Sequence, residues 1–427
     1  MSTAQQPWTL QACIDRAKTA NLTIRQKQLA VEQTAIDVKT AQCQQLPTLS
    51  AAINQSYNLG ISPTASGTDT QNNASVSTAS LSLTAPLFEG FRIRNGINSS
   101  QLEQKAVAAE SEQTRQDIII DVIAGYLQVL LNKELAHAAQ EQTLLSCKQS
   151  DRTLQMVKAG KISKSELYES HAQVAKDSSA LIKTESDLKL SLIDLAQLLQ
   201  LQHNEGFDIS SSDLDSQPII ATPFANIDSL YNLALQNRAS VRSAQYRIEK
   251  GKSDIVIARS GSLPTLDFKA GYSNGYYYYY NLPQGISNSP FTDQFHTDRQ
   301  EVVSLNLQIP IFNHFDVKHK VQSAKVSLQQ QQLTLENEKQ QLYKTIQQVY
   351  CRWIAAQAKY HSLQKEVEAL QVAYVYAVEK FEVGKTTGFE VNEKQISLAK
   401  AISDWIEAKY DYLFSSKTLN FYINNSI

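Results

Sequence analysis

Two hydrophobic periods divide this chain. Between residues 315 and 382, Val321, Leu328, Leu335, Leu342, Val349, Ala356, Leu363, Leu370 and Ala377 recur every seven positions. Ile346, Trp353, Tyr360, Val367, Tyr374 and Phe381 form a second seam of the same period. A repeat of 3.5 residues sustained this long predicts a helix in coiled-coil packing. Elsewhere the period is two. Leu49, Ala51, Ile53, Gln55, Tyr57, Leu59 and Ile61 alternate with small or polar residues, as do Ala79, Leu81, Leu83, Ala85 and Leu87. Leu266, Phe268, Ala270 and Tyr272 do the same, and then Val303, Leu305, Leu307 and Ile309. Alternation of this kind gives each strand one apolar and one polar face.

The pattern is written twice. LSLTAPLFEGF at 81–91 returns as LNLQIPIFNHF at 305–315, a shift of 224. LPTL at 46–49 returns at 263–266, a shift of 217, so the second copy carries seven additional residues between 266 and 305. Tyr126, Gly160, Lys161 and Asp187 map onto Tyr350, Gly384, Lys385 and Asp411. A period near 220 is too long for a solenoid unit and indicates a duplicated domain. The copies are assigned to 1–201 and 226–427, with a linker at 202–225.

Each copy reads helix, strand, strand, very long helix, tight turn, helix. The first helix is expected over about 10–45 and ends at Pro47, because proline lacks a donor and disfavours helix in the residue before it. Pro264 has the same role in the second copy. The hairpins fall at about 47–87 and 264–310, with Pro86 and Pro310 breaking the ladder where each strand passes into a helix. The long helices are expected at 91–158 and 315–382, about 100 Å each at 1.5 Å per residue. Shorter helices are expected at 164–201 and 226–260.

Composition narrows the function. The 427 residues include only 14 Gly and 10 Pro, as befits long unbroken helices. Lys+Arg 40 against Asp+Glu 42 leaves no basic field for nucleic acid. Cys13, Cys43, Cys147 and Cys351 form no CxxC, and the seven histidines show no metal-ligand spacing, so neither metal nor cofactor is expected. No apolar run is long enough for a membrane helix. MSTAQQPW shows no signal-peptide pattern, an opening that fits a leader removed upstream, and no cysteine near residue 1 offers a lipid anchor. No GxSxG, Walker loop or HExxH is present, so the chain does not read as an enzyme.

Four two-faced strands joined to helical rods have little globular core to cover, and four strands do not close a barrel. Several chains sharing one barrel, apolar outside and polar within, satisfy the pattern. The run GYYYYYN, with Tyr276 to Tyr280, suits an aromatic girdle at a membrane interface or an external loop, with an adhesive or merely β-prone loop as the alternative.

Duplicated hairpins between long helices, LPTL before them and PLFEGF or PIFNHF after them, together resemble the TolC family of outer-membrane efflux proteins. MVKAGKISKSEL at 156–167 and FEVGKTTGFEV at 381–391 resemble that family's periplasmic helix turns. The resemblance covers essentially the whole chain. It implies a mostly α fold with a membrane β-barrel. The implied homotrimer has twelve strands in one barrel and twelve helices in a periplasmic α-barrel, with 202–225 in an equatorial belt. The implied function is a passive outer-membrane exit duct of a tripartite efflux pump or type I secretion system. Its partners would be a periplasmic adaptor, an inner-membrane RND or ABC transporter and outer-membrane lipid.

The resemblance places an acidic selectivity ring at Glu390 and Glu393. It places adaptor-binding tips at Ala159, Gly160, Lys161, Ile162 and Ser163, and at Val383, Gly384, Lys385, Thr386 and Thr387. The family's tyrosine–arginine–acid latch falls on Phe381, Thr386 and Glu166. The first lacks a hydroxyl and the second a charge, which leaves Lys161, Lys164 and Lys385 as candidate substitutes. The competing reading is a structural or adhesive coiled-coil surface protein without a pore.

Overall fold

A computed structural model describes residues 7–63, 69–71, 73–201, 206–210, 227–282, 284–383 and 385–424. Gly384 and most of the 202–225 linker lie outside them. In chain order the elements are α1 (Leu10–Ala20), α2 (Leu22–Cys43), β1 (Thr48–Asn58), β2 (Ile61–Pro63), β3 (Asp69–Gln71), β4 (Ala74–Glu89), α3 (Arg92–Lys158) and α4 (Lys164–Leu198). Then follow α5 (Ile227–Asn237), α6 (Ala239–Ser260), β5 (Thr265–Tyr279), α7 (Phe291–Thr297), β6 (Arg299–Gln308), α8 (Asp316–Glu382) and α9 (Gly388–Asn424). The contacts group these into two compact units that divide the chain differently from the sequence repeats. One unit holds residues 31–107 and 244–334; the other holds 1–30, 108–243 and 335–427.

The first unit contains a four-stranded antiparallel sheet in the order β1-β4-β5-β6. Its register aligns the apolar alternation seen in sequence. Leu49 lies opposite Leu83, Leu83 opposite Ala270, and Ala270 opposite Val303. One position set therefore forms an apolar face, and its neighbours Ser50, Ser82 and Gly271 form the other. Pro86 does not end its strand: β4 continues to Glu89, with a register shift between Pro86 and Phe88. β1 has its last partner at Thr84, so Pro86 sits where one edge of β4 is open and a missing donor is tolerated. Pro310 lies just beyond β6, and Pro47 and Pro264 stand immediately before β1 and β5.

The repeated phrase encodes a left-handed turn. Gly90 and Phe91 have φ of 56° and 67°, and His314 and Phe315, 224 residues later, have 54° and 61°. At Gly90 a Cβ would stand 2.8 Å from Leu263 Cβ and 2.9 Å from the Ser260 carbonyl, so only glycine fits there without a shift. Each turn folds one phenylalanine against another, edge to face. The ring centroids are 5.3 Å apart in Phe88–Phe91 and 5.6 Å in Phe312–Phe315.

The second unit is helical. From Leu335 to Phe381 both heptad seams of α8 are buried or half-buried, as the 3.5-residue period requires. Tyr360 on the second seam lies against Trp405 and Tyr412 of α9, near-parallel at 6.1 and 5.9 Å. Cys13, Ile14, Val122, Tyr126, Leu195 and Leu199 share another cluster. The expected single helix over 10–45 is instead α1 and α2, separated at Asn21. The buried Asn21 Oδ1 accepts from the N–H of Thr23 at 2.9 Å, capping α2, while Nδ2 donates to the Leu198 carbonyl at 3.1 Å. The expected 226–260 helix breaks likewise at Arg238, 217 residues later. There the guanidinium donates to Gln116 Oε1 at 3.3 Å and lies 4.7 Å over the Tyr422 ring.

Candidate functional site

The two helix turns are built alike. After α3, Gly160 adopts φ 71°, its N–H donates to the Val157 carbonyl and the Lys161 N–H donates to Met156. This is a Schellman closure. After α8, the Lys385 N–H donates to the Lys380 carbonyl at 2.8 Å, the same five-residue span displaced by 224. Ser163 Oγ then accepts from the Glu166 N–H, and Thr387 Oγ1 accepts from the Glu390 N–H, each at 3.4 Å. Glu166 and Glu390 therefore hold equivalent third positions in S/T-x-x-E caps, where a carboxylate also complements the helix dipole.

The sequence-derived site residues fall into two groups. Ala159, Gly160, Lys161, Ser163, Lys164, Val383, Lys385, Thr387, Glu390 and Glu393 are exposed, while Ile162 and Thr386 are half-exposed. Thr386 Oγ1 donates to Glu390 Oε2. Glu393 pairs with its neighbour Lys394 at 3.6 Å. Phe381, by contrast, is buried with Ala377 and Val391. Glu166 joins it: a Cβ built on Gly388 would meet Glu166 Oε2 at 3.3 Å and the Phe381 ring at 3.7 Å. The first tip's acid and the second tip's aromatic ring thus converge on the first residue of α9.

Three features near the tips were not read from sequence. Arg152 of α3 donates to Glu382 Oε1 at 3.2 Å, with its guanidinium 6.0 Å from the Phe381 ring centre. Deeper in the bundle the buried Asp177 carboxylate accepts from Ser146 Oγ, from Gln173 Nε2 at 2.8 Å and from Gln142 Nε2 at 3.2 Å. Gln395 Nε2 of α9 donates to Ser146 Oγ at 3.4 Å. A small cavity, about 50 Å³, lies beside this network, lined by Ser146, Thr153, Glu166, Gln173, Phe381 and Gln395 among others. Tyr374, in the adjoining cluster, has its phenol pushed up by burial. Among the described residues no group of His, Cys, Asp and Glu is placed to hold a metal.

The sheet offers the other functional surface. Its apolar side chains are open: Ile53 is 84% and Val303 73% exposed, with Leu49, Leu305 and Leu307 also exposed. No helix is long and apolar enough to cross a membrane among the described residues. An amphipathic antiparallel sheet with its apolar face open, in a chain otherwise built of long coiled-coil helices, has the strand pattern of outer-membrane proteins. The chain belongs to the TolC family: the model for "Outer membrane efflux protein" matches residues 13–200 and 230–425.

The chain is 22% identical to Protein CyaE of Bordetella pertussis over 333 residues, covering 78% of this chain and 66% of that one, slightly under two-thirds. It is 21% identical to the outer membrane protein TolC of Escherichia coli over 422 residues, covering 97% and 82% of the two chains. The crystal structure of CusC has the same fold, with a TM-score of 0.81 at 15% identity, covering 97% of this chain and 91% of that one. The protein is therefore one of the outer membrane.

Proposed function

We propose that three copies of this chain close one twelve-stranded barrel and one twelve-helix tunnel, forming a passive exit duct through the outer membrane. The observation that carries this is the pair of open sheet edges. β1 pairs with β4 alone and β6 with β5 alone among the described residues, leaving edges eleven and ten residues long. Long unprotected edges of this kind call for a strand partner. Joining β6 of one copy to β1 of the next three times over gives 3 × 4 = 12 strands and leaves no edge. The open apolar face then meets lipid and the polar face lines the pore.

In this reading 1–201 and 226–427 are one duplicated unit joined by 202–225. Support comes from the paired left-handed turns, paired caps and paired helix breaks. The two turns meet a periplasmic adaptor that links the duct to an inner-membrane RND or ABC transporter, and the transporter selects the cargo. Glu390 and Glu393, one helical turn apart and exposed, become rings of three carboxylates each in the trimer. The test is planar-bilayer conductance of the purified protein beside Glu390→Gln/Glu393→Gln. Discrete channels whose cation preference falls in the double variant are expected. Channels indifferent to the substitution would remove the ring and keep the duct, and absence of channels would remove the duct.

A further inference from the structure

We infer that α7 is a membrane foot, placing Phe291 and Phe295 in the headgroup–acyl boundary of the outer leaflet. The inference rests on the barrel reading above. The second copy exceeds the first by seven residues in this stretch, and α7 is seven residues long. This short helix is fixed to β5 by polar side chains acting as a strand. Gln294 Oε1 accepts from the Tyr277 N–H at 2.8 Å and its Nε2 donates to the Tyr277 carbonyl at 3.0 Å. Asn288 repeats this exchange at Tyr279, with 2.8 and 2.9 Å. β6 pairs only as far as Asn274, so Gln294 and Asn288 satisfy backbone groups that the ladder leaves open.

The side of the sheet is also fixed. Asn274 and Tyr276 share the apolar position set with Leu266, Phe268, Ala270 and Tyr272. The buried Asn274 donates to the Phe295 carbonyl at 2.7 Å, and the Tyr276 ring meets Phe291 edge to face at 5.4 Å. α7 therefore sits on the face that meets lipid. Its two rings, four residues apart and stacked at 5.8 Å, remain 58% and 49% exposed.

The depth agrees. Leu266, opposite Phe88 in the ladder, is ten residues from Tyr276. That is about 33 Å along the strand. At the ~40° tilt of barrel strands it gives about 25 Å of depth, the height of an outer-membrane apolar band. The Phe88–Phe91 pair thus marks one boundary and the Tyr276–Phe291–Phe295 cluster the other. Asp293 and Asp298 outnumber the one nearby cation, Arg299, so the segment has no basic charge to attract anionic headgroups, and the contact is apolar and insensitive to salt.

The experiment uses the full-length protein in phosphatidylcholine vesicles, with bromine placed either near the headgroup or deep in the acyl chain. Phe295→Trp is compared with Leu305→Trp, which reports the barrel face, and with wild type, whose tryptophans lie outside the sheet. Quenching of the residue-295 indole chiefly by shallow bromine, unchanged in high salt, is expected. Quenching by aqueous iodide alone overturns the foot, as does protection from both quenchers, which would mean cover by another protein surface. If Leu305→Trp escapes deep bromine, the barrel reading fails instead. Phe291→Ala/Phe295→Ala provides a second readout, since it should lose part of the thermal stabilisation that lipid confers over detergent.

Discussion

Arg152 of α3 is held 3.2 Å from Glu382, in the last turn of α8, and its guanidinium also faces the Phe381 ring. The two long helices are tied to each other beside their turns by an ion pair and an aromatic contact acting on neighbouring residues. A half-exposed pair contributes about 0.2–1 kcal/mol and an exposed cation–π contact about 0.5–1 kcal/mol. Arg152→Ala removes both, about 0.7–2 kcal/mol together, and should raise the ratio of open to closed tips about three- to thirtyfold, since 1.4 kcal/mol is a factor of ten. Glu382→Ala, which keeps the ring contact, should raise it less. Single-channel open probability reads both effects, and an unchanged value in Arg152→Ala would show that this tie has no part in closure.

Asp177 makes a stronger claim on stability. Three side chains donate to its buried carboxylate, and Gln395 connects the group to α9. Truncation to alanine removes the acceptor shared by three donors, one of them buried, for which about 1–3 kcal/mol of destabilisation is expected. Asp177→Asn keeps an acceptor in place and should cost less than half as much. Thermal unfolding of the detergent-solubilised variants measures the difference. Equal losses in both would mean that the negative charge, rather than acceptor geometry, holds the network.

Much of the fold was legible because periodic burial repeats a local rule many times. The α8 seams and the sheet register each rest on a dozen or more positions, and a few exceptions do not hide them. Single-residue events were not legible. Asn21 ends one helix and caps the next, yet in sequence it is one asparagine within a helix-prone run. FTDQFHT is too short to establish any period, and its link to β5 depends on Gln294 reaching across seventeen positions. Asp177 resembles any solvated helix acid until α3 and α9 are packed around it. Pro86 stays within β4, although proline is disfavoured inside a sheet, because the adjoining β1 ladder has already stopped at Thr84. At the tips, S-x-x-E and T-x-x-E become caps only once the turns fold and bring Ser163 and Thr387 to the N–H groups of Glu166 and Glu390.

Asp121 gives a prediction with a definite sign. Desolvation, and then the neighbouring Asp117 charge, raise its carboxyl above the ordinary 3.8. The folded state therefore binds more protons than the unfolded state between about pH 4 and the raised value. The group's contribution is full below the unfolded value and is lost as pH rises through the folded one. Asp121→Asn removes that loss. It should unfold at a higher temperature than wild type at pH 7 and at the same temperature at pH 3. A difference of equal size at both pH values would assign the effect to packing instead.

Cys13 differs from the other three cysteines in a way that labelling can read. It is fully buried in the cluster around Ile14 and Tyr126, and burial pushes its thiol up to about 12. Cys43, Cys147 and Cys351 are exposed. Alkylation proceeds through the thiolate, so at pH 8 both access and ionisation protect Cys13. Mass mapping after iodoacetamide treatment of the native protein should find Cys13 unmodified, with full reaction only in denaturant. The rate in partial denaturant then measures opening of the α1–α3–α4 cluster that Asn21 helps to close. Asn21→Ala should accelerate that reaction selectively, because loss of a cap costs about 1 kcal/mol locally. Native-state labelling of Cys13 at the rate of an exposed thiol would mean that this cluster is not the packed core its burial indicates.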